Sequence, residues 1–182
     1  MTKYGVVVGS IRKNSYSKGV ADALVAGLPE DSEVTYIDIH HLPLYNQDYD
    51  ADSPEEYTAF RSIIAAQDAF IFVTPEHNRS ISAALKNALD VGSRPWGQNS
   101  WAGKPALVAS QSISGIAGIL ANHVLRQSLV FLDMTTMQQP ELYIGNVQNL
   151  ADEEGHITNT DTQAFLASAT QQFVLFADKL IG

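Results

Sequence analysis

Residues 4–17 carry the sequence Tyr-Gly-Val-Val-Val-Gly-Ser-Ile-Arg-Lys-Asn-Ser-Tyr-Ser, in which an apolar run gives way abruptly to polar residues. The run Tyr4–Val8 is largely β-branched, as expected for a strand that is buried on both faces of a parallel sheet. Apolar residues at helical spacing follow at Val20, Ala23, Leu24 and Leu28, and we expect this helix to stop at Pro29. The stretch therefore predicts a strand, a polar loop and a helix in direct succession.

The same alternation continues along the chain. Further strands are predicted at Val34–Ile39, Ala69–Val73, Pro105–Ala109 and Met134–Met137. Helices are predicted from Pro54 with Ser53 as the cap, over Ile81–Val91 and Ile116–Phe131, and from a cap at Asn159 or Thr160. The polar residues 145–155 are expected to form a surface excursion. Strand and helix alternate without a linker, which predicts a single α/β domain over residues 1–182, with a doubly wound, five-stranded parallel sheet between two layers of helices.

The amino-acid composition excludes several classes of function for this chain. The chain has 182 residues, 45% of them hydrophobic and 17% charged, which is ordinary for a globular domain. A formal net charge of −9 argues against a nucleic-acid partner, because such a partner needs a basic face. The absence of cysteine excludes disulfides, thiolate metal sites and cysteine nucleophiles. The N-terminal apolar run is too short for a signal peptide or a membrane span, so we expect a cytoplasmic protein with no membrane partner.

The first loop, residues 9–15, leads from the first strand into a helix and has the chemistry of a phosphate site. It offers hydroxyl groups, the side chain of Arg12 and the free N–H groups of the helix start, and it contains no carboxylate. A plain helix cap by Ser15, with Arg12 solvated, is the alternative interpretation. The loop lacks the glycine spacing of nucleoside triphosphatases and of dinucleotide-binding folds, and a phosphatase loop would need cysteine.

The loop after the third strand carries a second motif. Residues 74–90 read Thr-Pro-Glu-His-Asn-Arg-Ser-Ile-Ser-Ala-Ala-Leu-Lys-Asn-Ala-Leu-Asp, in which Pro75 and Asn78 favour a turn before a helix that starts near Ser80 or Ser82. Together with Gly-Ser-Ile-Arg at residues 9–12, this motif resembles the NADPH-dependent FMN reductase family, which includes azoreductases and quinone and chromate reductases. The resemblance covers most of the chain and implies a flavodoxin-like fold with strand order 2-1-3-4-5.

The resemblance also implies the cofactor site. The family's phosphate loop falls on Ser10, Arg12, Ser15, Tyr16 and Ser17, and its isoalloxazine turn on Pro75, Glu76, His77 and Asn78. The loop after the fourth strand, residues 110–115 with Ser110 and Ser112, would line the other side of the flavin. Two positions depart from many relatives: His77 stands where a tyrosine is common, and Arg79 where a small or neutral residue is common. Arg79 either attracts the phosphates of NADPH or is simply solvated.

The implied activity is transfer of hydride from NADPH or NADH through bound FMN to a small-molecule acceptor such as a quinone, an azo compound or free flavin. We expect no catalytic side chain and no metal, because the chemistry takes place at the flavin. A flavodoxin-like electron carrier and a flavin-binding protein without turnover are the alternatives. Arg12 and the Pro-Glu-His-Asn turn favour the reductase.

The helix predicted over Ile116–Phe131 is apolar around more of its circumference than one sheet-facing stripe requires. Such a helix buries a second face, either within the chain or against a partner. Relatives in the family assemble as dimers and tetramers, and the resemblance therefore implies a homo-oligomer.

Overall fold

A computed structural model describes residues 1–182. Its strands are β1 (Lys3–Val8), β2 (Glu33–Tyr36), β3 (Ala69–Pro75), β4 (Pro105–Gln111), β5 (Thr135–Thr136) and β6 (Leu142–Ile144). Its helices are α1 (Tyr16–Val25), α2 (Glu55–Ala65), α3 (Ala83–Gly92), α4 (Ile119–Phe131) and α5 (Thr160–Ile181). Short 3₁₀ turns lie at Gln47–Tyr49 and Val147–Asn149. No helix combines the length and the apolar character that a membrane span requires.

All strand pairs of the sheet are parallel, and the strand order β2-β1-β3-β4-β5 confirms the flavodoxin-like order. The fifth position differs from the prediction of one strand over Met134–Met137. Two short strands occupy it: β5 pairs with the start of β4 and β6 with its end. Met134 and Met137 are buried, but the chain leaves the sheet between the two strands, where Pro140 has no N–H to donate to a ladder.

Helices cover both faces of the sheet and create two cores. On one face α1 and α5 pack over Tyr4, Val6 and Ile71, and on the other α2, α3 and α4 pack over Val7 and Phe72. β3 and β4 are buried at every position because they are the central strands of this sandwich. This double burial is the physical reason for their continuous apolar runs.

Several predicted boundaries were wrong by a few residues. α1 ends at Val25 instead of Pro29, because Gly27 and Leu28 make tighter turns with N–H donation to the carbonyls of Leu24 and Val25. β2 ends at Tyr36 instead of Ile39. α4 begins at Ile119 instead of Ile116, after two residues with positive φ, Ala117 and Gly118. Because a positive φ lies outside the right-handed helical region, the regular helical hydrogen bonds begin only after these two residues.

The predicted caps were partly right. Ser15, Ser82 and Asn159 each accept a backbone N–H at the start of α1, α3 and α5. Ser53 does not cap α2: Pro54 precedes the first helical residue, and the Ser53 hydroxyl donates to the carbonyl of Tyr49 at 2.9 Å. The Ser53 hydroxyl thus bonds to the end of the preceding 3₁₀ turn instead of to the start of α2.

The polar residues 145–155 are not a loose surface excursion. Val147 is fully buried in the core beside α1 and α5, and Ala151 pairs with Ile157 in an isolated bridge. Gly155 is buried against Asn14 and Ser15 of the first loop. A few apolar side chains are enough to anchor the segment, although its average composition is polar.

Candidate active site

The loops that follow β1, β3 and β4 meet at the carboxyl edge of the sheet and enclose a groove of about 440 Å³. We call it the three-loop groove. Eight residues that the family resemblance assigns to the cofactor line it: Ser10, Arg12, Ser15, Tyr16, Pro75, Glu76, His77 and Ser112. Ile11, Gln111 and Ile113 complete the lining. Parallel strands bring their carboxyl ends together, so residues distant in sequence share this edge.

The first loop supplies unused hydrogen-bond donors. The backbone N–H groups of Ser10, Ile11 and residues 13–17 donate to no protein acceptor, whereas Gly9 N–H donates to the carbonyl of Val73 at 2.8 Å and anchors the loop to β3. Ser15 caps α1 by accepting the N–H of Lys18. A loop of free N–H groups at a helix start matches the oxygen acceptors of a phosphate.

Arg12 lies at the rim of the groove and is exposed. Its guanidinium donates to the carbonyl of Asn14 at 3.0 Å and lies 5.4 Å from the ring centroid of Tyr16. It makes no ion pair, so its charge is available to an anionic ligand. The ring of Tyr16 limits the directions in which the guanidinium can move.

The loop after β3 forms a tight turn over residues 77–80. His77 and Ser80 exchange two backbone hydrogen bonds of 2.9 Å, and the central residues Asn78 and Arg79 have φ values of 50° and 65°. Positive φ at both central positions is the pattern of a type I′ turn, and it confirms the predicted turn. His77 faces the three-loop groove, while Asn78 lines a neighbouring depression with Ser80 and Lys86.

The carboxylate of Glu76 is engaged within the protein. Its Oε2 accepts the N–H groups of Leu120 and Ala121 at 3.2 and 3.3 Å, and its Oε1 accepts a 2.7 Å hydrogen bond from Arg79. Gly118, the cap residue of α4, has no side chain to offer, so Glu76 provides the cap from another loop. The ion pair also shows that the charge of Arg79 has an internal partner.

Ser17 and Ser110 lie beneath the groove and do not line it. The Ser17 hydroxyl accepts a 2.8 Å hydrogen bond from the Gln111 amide, and the Ser110 hydroxyl donates to the carbonyl of Ala117 at 2.9 Å. Both serines are fully buried. Their side chains therefore hold the loops together. Of the predicted serines, only Ser10, Ser15 and Ser112 line the groove.

The donor set fits FMN. Free N–H groups and Arg12 suit the phosphate, and the exposed side chains of Ile11 and Ile113 offer apolar surface for a planar ring at the rim. The one carboxylate of the groove, Glu76, is neutralised by Arg79 and by the start of α4. No group of acidic or histidine side chains is arranged to hold a metal ion.

Comparison with known proteins gives a consistent result. The family model described as NADPH-dependent FMN reductase matches residues 2–149. The chain is 51% identical over 169 residues to a quinone reductase of Pseudomonas putida, which covers 92% of this chain and 90% of the relative. It is 43% identical to a 2-hydroxy-1,4-benzoquinone reductase of Burkholderia sp. over 171 residues, or 94% and 93% of the two chains.

Among solved structures, the fold is similar to that of the flavoenzyme NAD(P)H:(acceptor) oxidoreductase FerB from Paracoccus denitrificans. The TM-score is 0.89 at 35% identity, with 98% of each chain covered. The segment after residue 149 lies outside the family model but inside this structural match.

Proposed function

We propose, because this chain belongs to the NADPH-dependent FMN reductase family, that it holds FMN in the three-loop groove and reduces a quinone. The chain is an NAD(P)H-dependent flavin oxidoreductase, in agreement with its family and with the structurally similar flavoenzyme NAD(P)H:(acceptor) oxidoreductase. One observation supports this placement of the cofactor: eight residues from separate loops, assigned to the cofactor by the family resemblance, line the same groove. The reaction balances as NAD(P)H, a proton and a quinone giving NAD(P)⁺ and a hydroquinone.

The first loop binds the phosphate in this proposal. The free N–H groups at residues 13–17 donate to its oxygens, and the hydroxyl of Ser10 and the guanidinium of Arg12 complete the contacts. Ser17 and Gln111 support the loop from below through their mutual hydrogen bond.

The turn over residues 77–80 orients the isoalloxazine ring. The N–H groups of Asn78 and Arg79 donate to no protein acceptor, so they would be free to donate to polar atoms of the ring that extend beyond His77 to this turn. When bound, FMN supplies the two-electron chemistry by accepting hydride from NAD(P)H and passing it to the acceptor. The protein supplies binding and orientation, and no side chain is required as an acid or base.

The acceptor site is apolar at its rim. Ile113 is 65% exposed and Ile11 48% exposed, and both line the three-loop groove. Exposed isoleucines beside a planar ring favour an uncharged, planar acceptor such as a quinone over a hydrated oxyanion. The quinone reductases among the relatives support the same class of acceptor.

The purified FMN-loaded protein provides the test. Anaerobic NADPH or NADH is expected to bleach the flavin absorbance, and a quinone is expected to restore it, with ping-pong kinetics. Bleaching too slow for turnover, with rapid reduction only by a protein donor, would support the electron carrier instead. A flavin that neither donor bleaches would support a binding protein without turnover.

Self-association is part of the proposal. On α4, Val130 is 69% and Phe131 79% exposed, while Leu125 and Leu129 face the core. Large apolar side chains exposed on one helix favour a subunit contact. We place this homo-oligomer in the cytoplasm, on the basis of the sequence interpretation.

A further inference from the structure

A second groove lies on the opposite side of the first loop, between this loop and the end of β2, and we call it the β2 groove. Its volume is about 510 Å³, within the range of small-molecule sites. Its apolar floor consists of Val6, Val8, Ile37 and Ile39. The two grooves share Ser10, Ile11, Arg12 and Ser15. Only the first loop therefore separates a ligand in one groove from a ligand in the other.

Two cations at the rim of the β2 groove have no acidic partner. The ammonium of Lys13 makes neither an ion pair nor a hydrogen bond, and Arg12 donates only to the carbonyls of Lys13 and Asn14. Lys18, which also lines the groove, is paired with Asp22. Because the proposed function assigns Arg12 to the phosphate of FMN, Lys13 is the cation that remains for an anionic ligand in the β2 groove, in a chain with a net charge of −9.

A carboxylate stands in the same groove. Asp38 follows β2, and its Oδ1 accepts the N–H of His40 at 2.8 Å, while its Oδ2 has no protein partner. A free carboxylate oxygen repels phosphate and accepts hydrogen bonds from hydroxyl groups. The acidic residue that contacts the adenosine ribose in dinucleotide-binding α/β folds also lies beyond the first βα unit. The groove therefore suits a ligand with both a phosphate and a ribose diol.

We propose that the β2 groove binds the adenosine diphosphate end of the nicotinamide coenzyme, with Lys13 at the diphosphate and Asp38 at the ribose hydroxyls. This assignment rests on the proposed function, in which the nicotinamide must reach the three-loop groove across the first loop. It makes Asp38 a determinant of coenzyme choice. A 2′-phosphate would meet the free oxygen of Asp38, whereas the 2′-hydroxyl of NADH donates to it.

Binding of ADP-ribose, which lacks the nicotinamide, tests the site directly. Calorimetric titration of the FMN-loaded protein is expected to show one molecule bound per chain. Lys13→Gln is expected to weaken this binding by about threefold to tenfold, as for a partly exposed charge-assisted contact. Lys179→Gln, an exposed lysine in the last turn of α5, is the matched control and is expected to leave the binding unchanged.

Coenzyme preference provides a readout that a structural role of Asp38 would not change. Asp38→Asn is expected to raise the KM for NADH and to lower that for NADPH, so that the ratio of the two changes by about tenfold. The affinity for FMN, measured by fluorescence quenching, is expected to stay within about twofold of the wild-type value, because Asp38 does not line the three-loop groove.

The outcomes separate this inference from the proposed function. A wild-type protein whose flavin neither coenzyme bleaches would overturn the proposed function. A protein that turns over normally, fails to bind ADP-ribose and keeps its coenzyme ratio in Asp38→Asn would overturn the inference alone. ADP-ribose that competes with FMN, and not with NADH, would also overturn it.

Discussion

The carbonyl group of Gly155 packs directly against Cα of Gly19, so that no side chain fits at position 19 of the chain. Gly155 in turn has a φ of +90°, and a Cβ there would lie 2.9 Å from the carbonyl oxygen of Asn14. The turn after residue 151 thus lies against the first loop and the start of α1. It supports the part of the loop that carries the free N–H groups.

Gly155→Ala is expected to weaken both folding and FMN binding. The control Gly97→Ala has a similar φ of +84° but open space around it, and it should lose about 1–2 kcal/mol of unfolding free energy through backbone strain alone. Gly155→Ala should lose about 1–3 kcal/mol more, because the methyl group overpacks the contact with Asn14. Urea unfolding and FMN titration measure the two effects. Equal losses in both variants would contradict the role of the contact.

Arg12→Ala is expected to weaken FMN binding by about 1.5–3 kcal/mol, the size of a charge-assisted hydrogen bond. Fluorescence quenching measures the affinity, and Lys179→Ala controls for the loss of one positive charge. An unchanged dissociation constant would remove Arg12 from the phosphate site. The folding stability should change little, since the guanidinium is exposed and contacts only its own loop and the ring of Tyr16.

Glu76→Gln is expected to lower the unfolding free energy by about 1–2 kcal/mol. The substitution removes the negative charge that faces the N-terminus of α4 and the ion pair with Arg79. Arg79→Gln, which removes only the exposed partner, should cost less than 1 kcal/mol, as for a surface ion pair. Similar losses from the two variants in urea unfolding would show that the contact with α4 contributes nothing.

The turn at Asp152 predicts an acid-dependent loss of stability. Donation from the backbone N–H of His156, with smaller contributions from its ring and from Glu154, holds the pKa of Asp152 below its ordinary value. The stabilisation is therefore present above the unfolded pKa of about 4 and disappears as pH falls through the lower folded value. Asp152→Asn should show a shallower loss between about pH 5 and pH 2 than wild type. Glu153→Gln, a neighbouring exposed carboxylate, should keep the wild-type slope.

Light scattering is expected to give a mass of at least twice 19.8 kDa. Phe131→Glu places a charge on the exposed apolar face of α4 and should shift the protein toward the monomer. Leu175→Glu alters a similarly exposed residue on α5 and should leave the mass unchanged. A wild-type monomer at micromolar concentration, with FMN bound and full activity, would refute self-association.

The strand and helix order followed from the sequence, because periodicity and capping act over a few neighbouring residues. The apolar runs at Tyr4–Val8 and Ala69–Val73 predicted buried strands. Residue type offered Ser15 as a cap in the alternative interpretation of the first loop, and it left the start of α3 between Ser80 and Ser82, of which Ser82 is the cap. The first loop with its arginine and the turn at Asn78 were also recognisable, because each depends on a few neighbouring residues.

Only the tertiary structure decided which contacts the side chains of these strands, helices and loops make. Glu76 caps a helix 44 residues away, Ser17 and Ser110 are buried under the groove instead of lining it, and the fifth strand position is divided between two segments. Gly155 and Asn14 meet across more than half the chain. Such contacts depend on which surfaces come together when the layers pack, and a local pattern carries no information about a partner so distant in sequence.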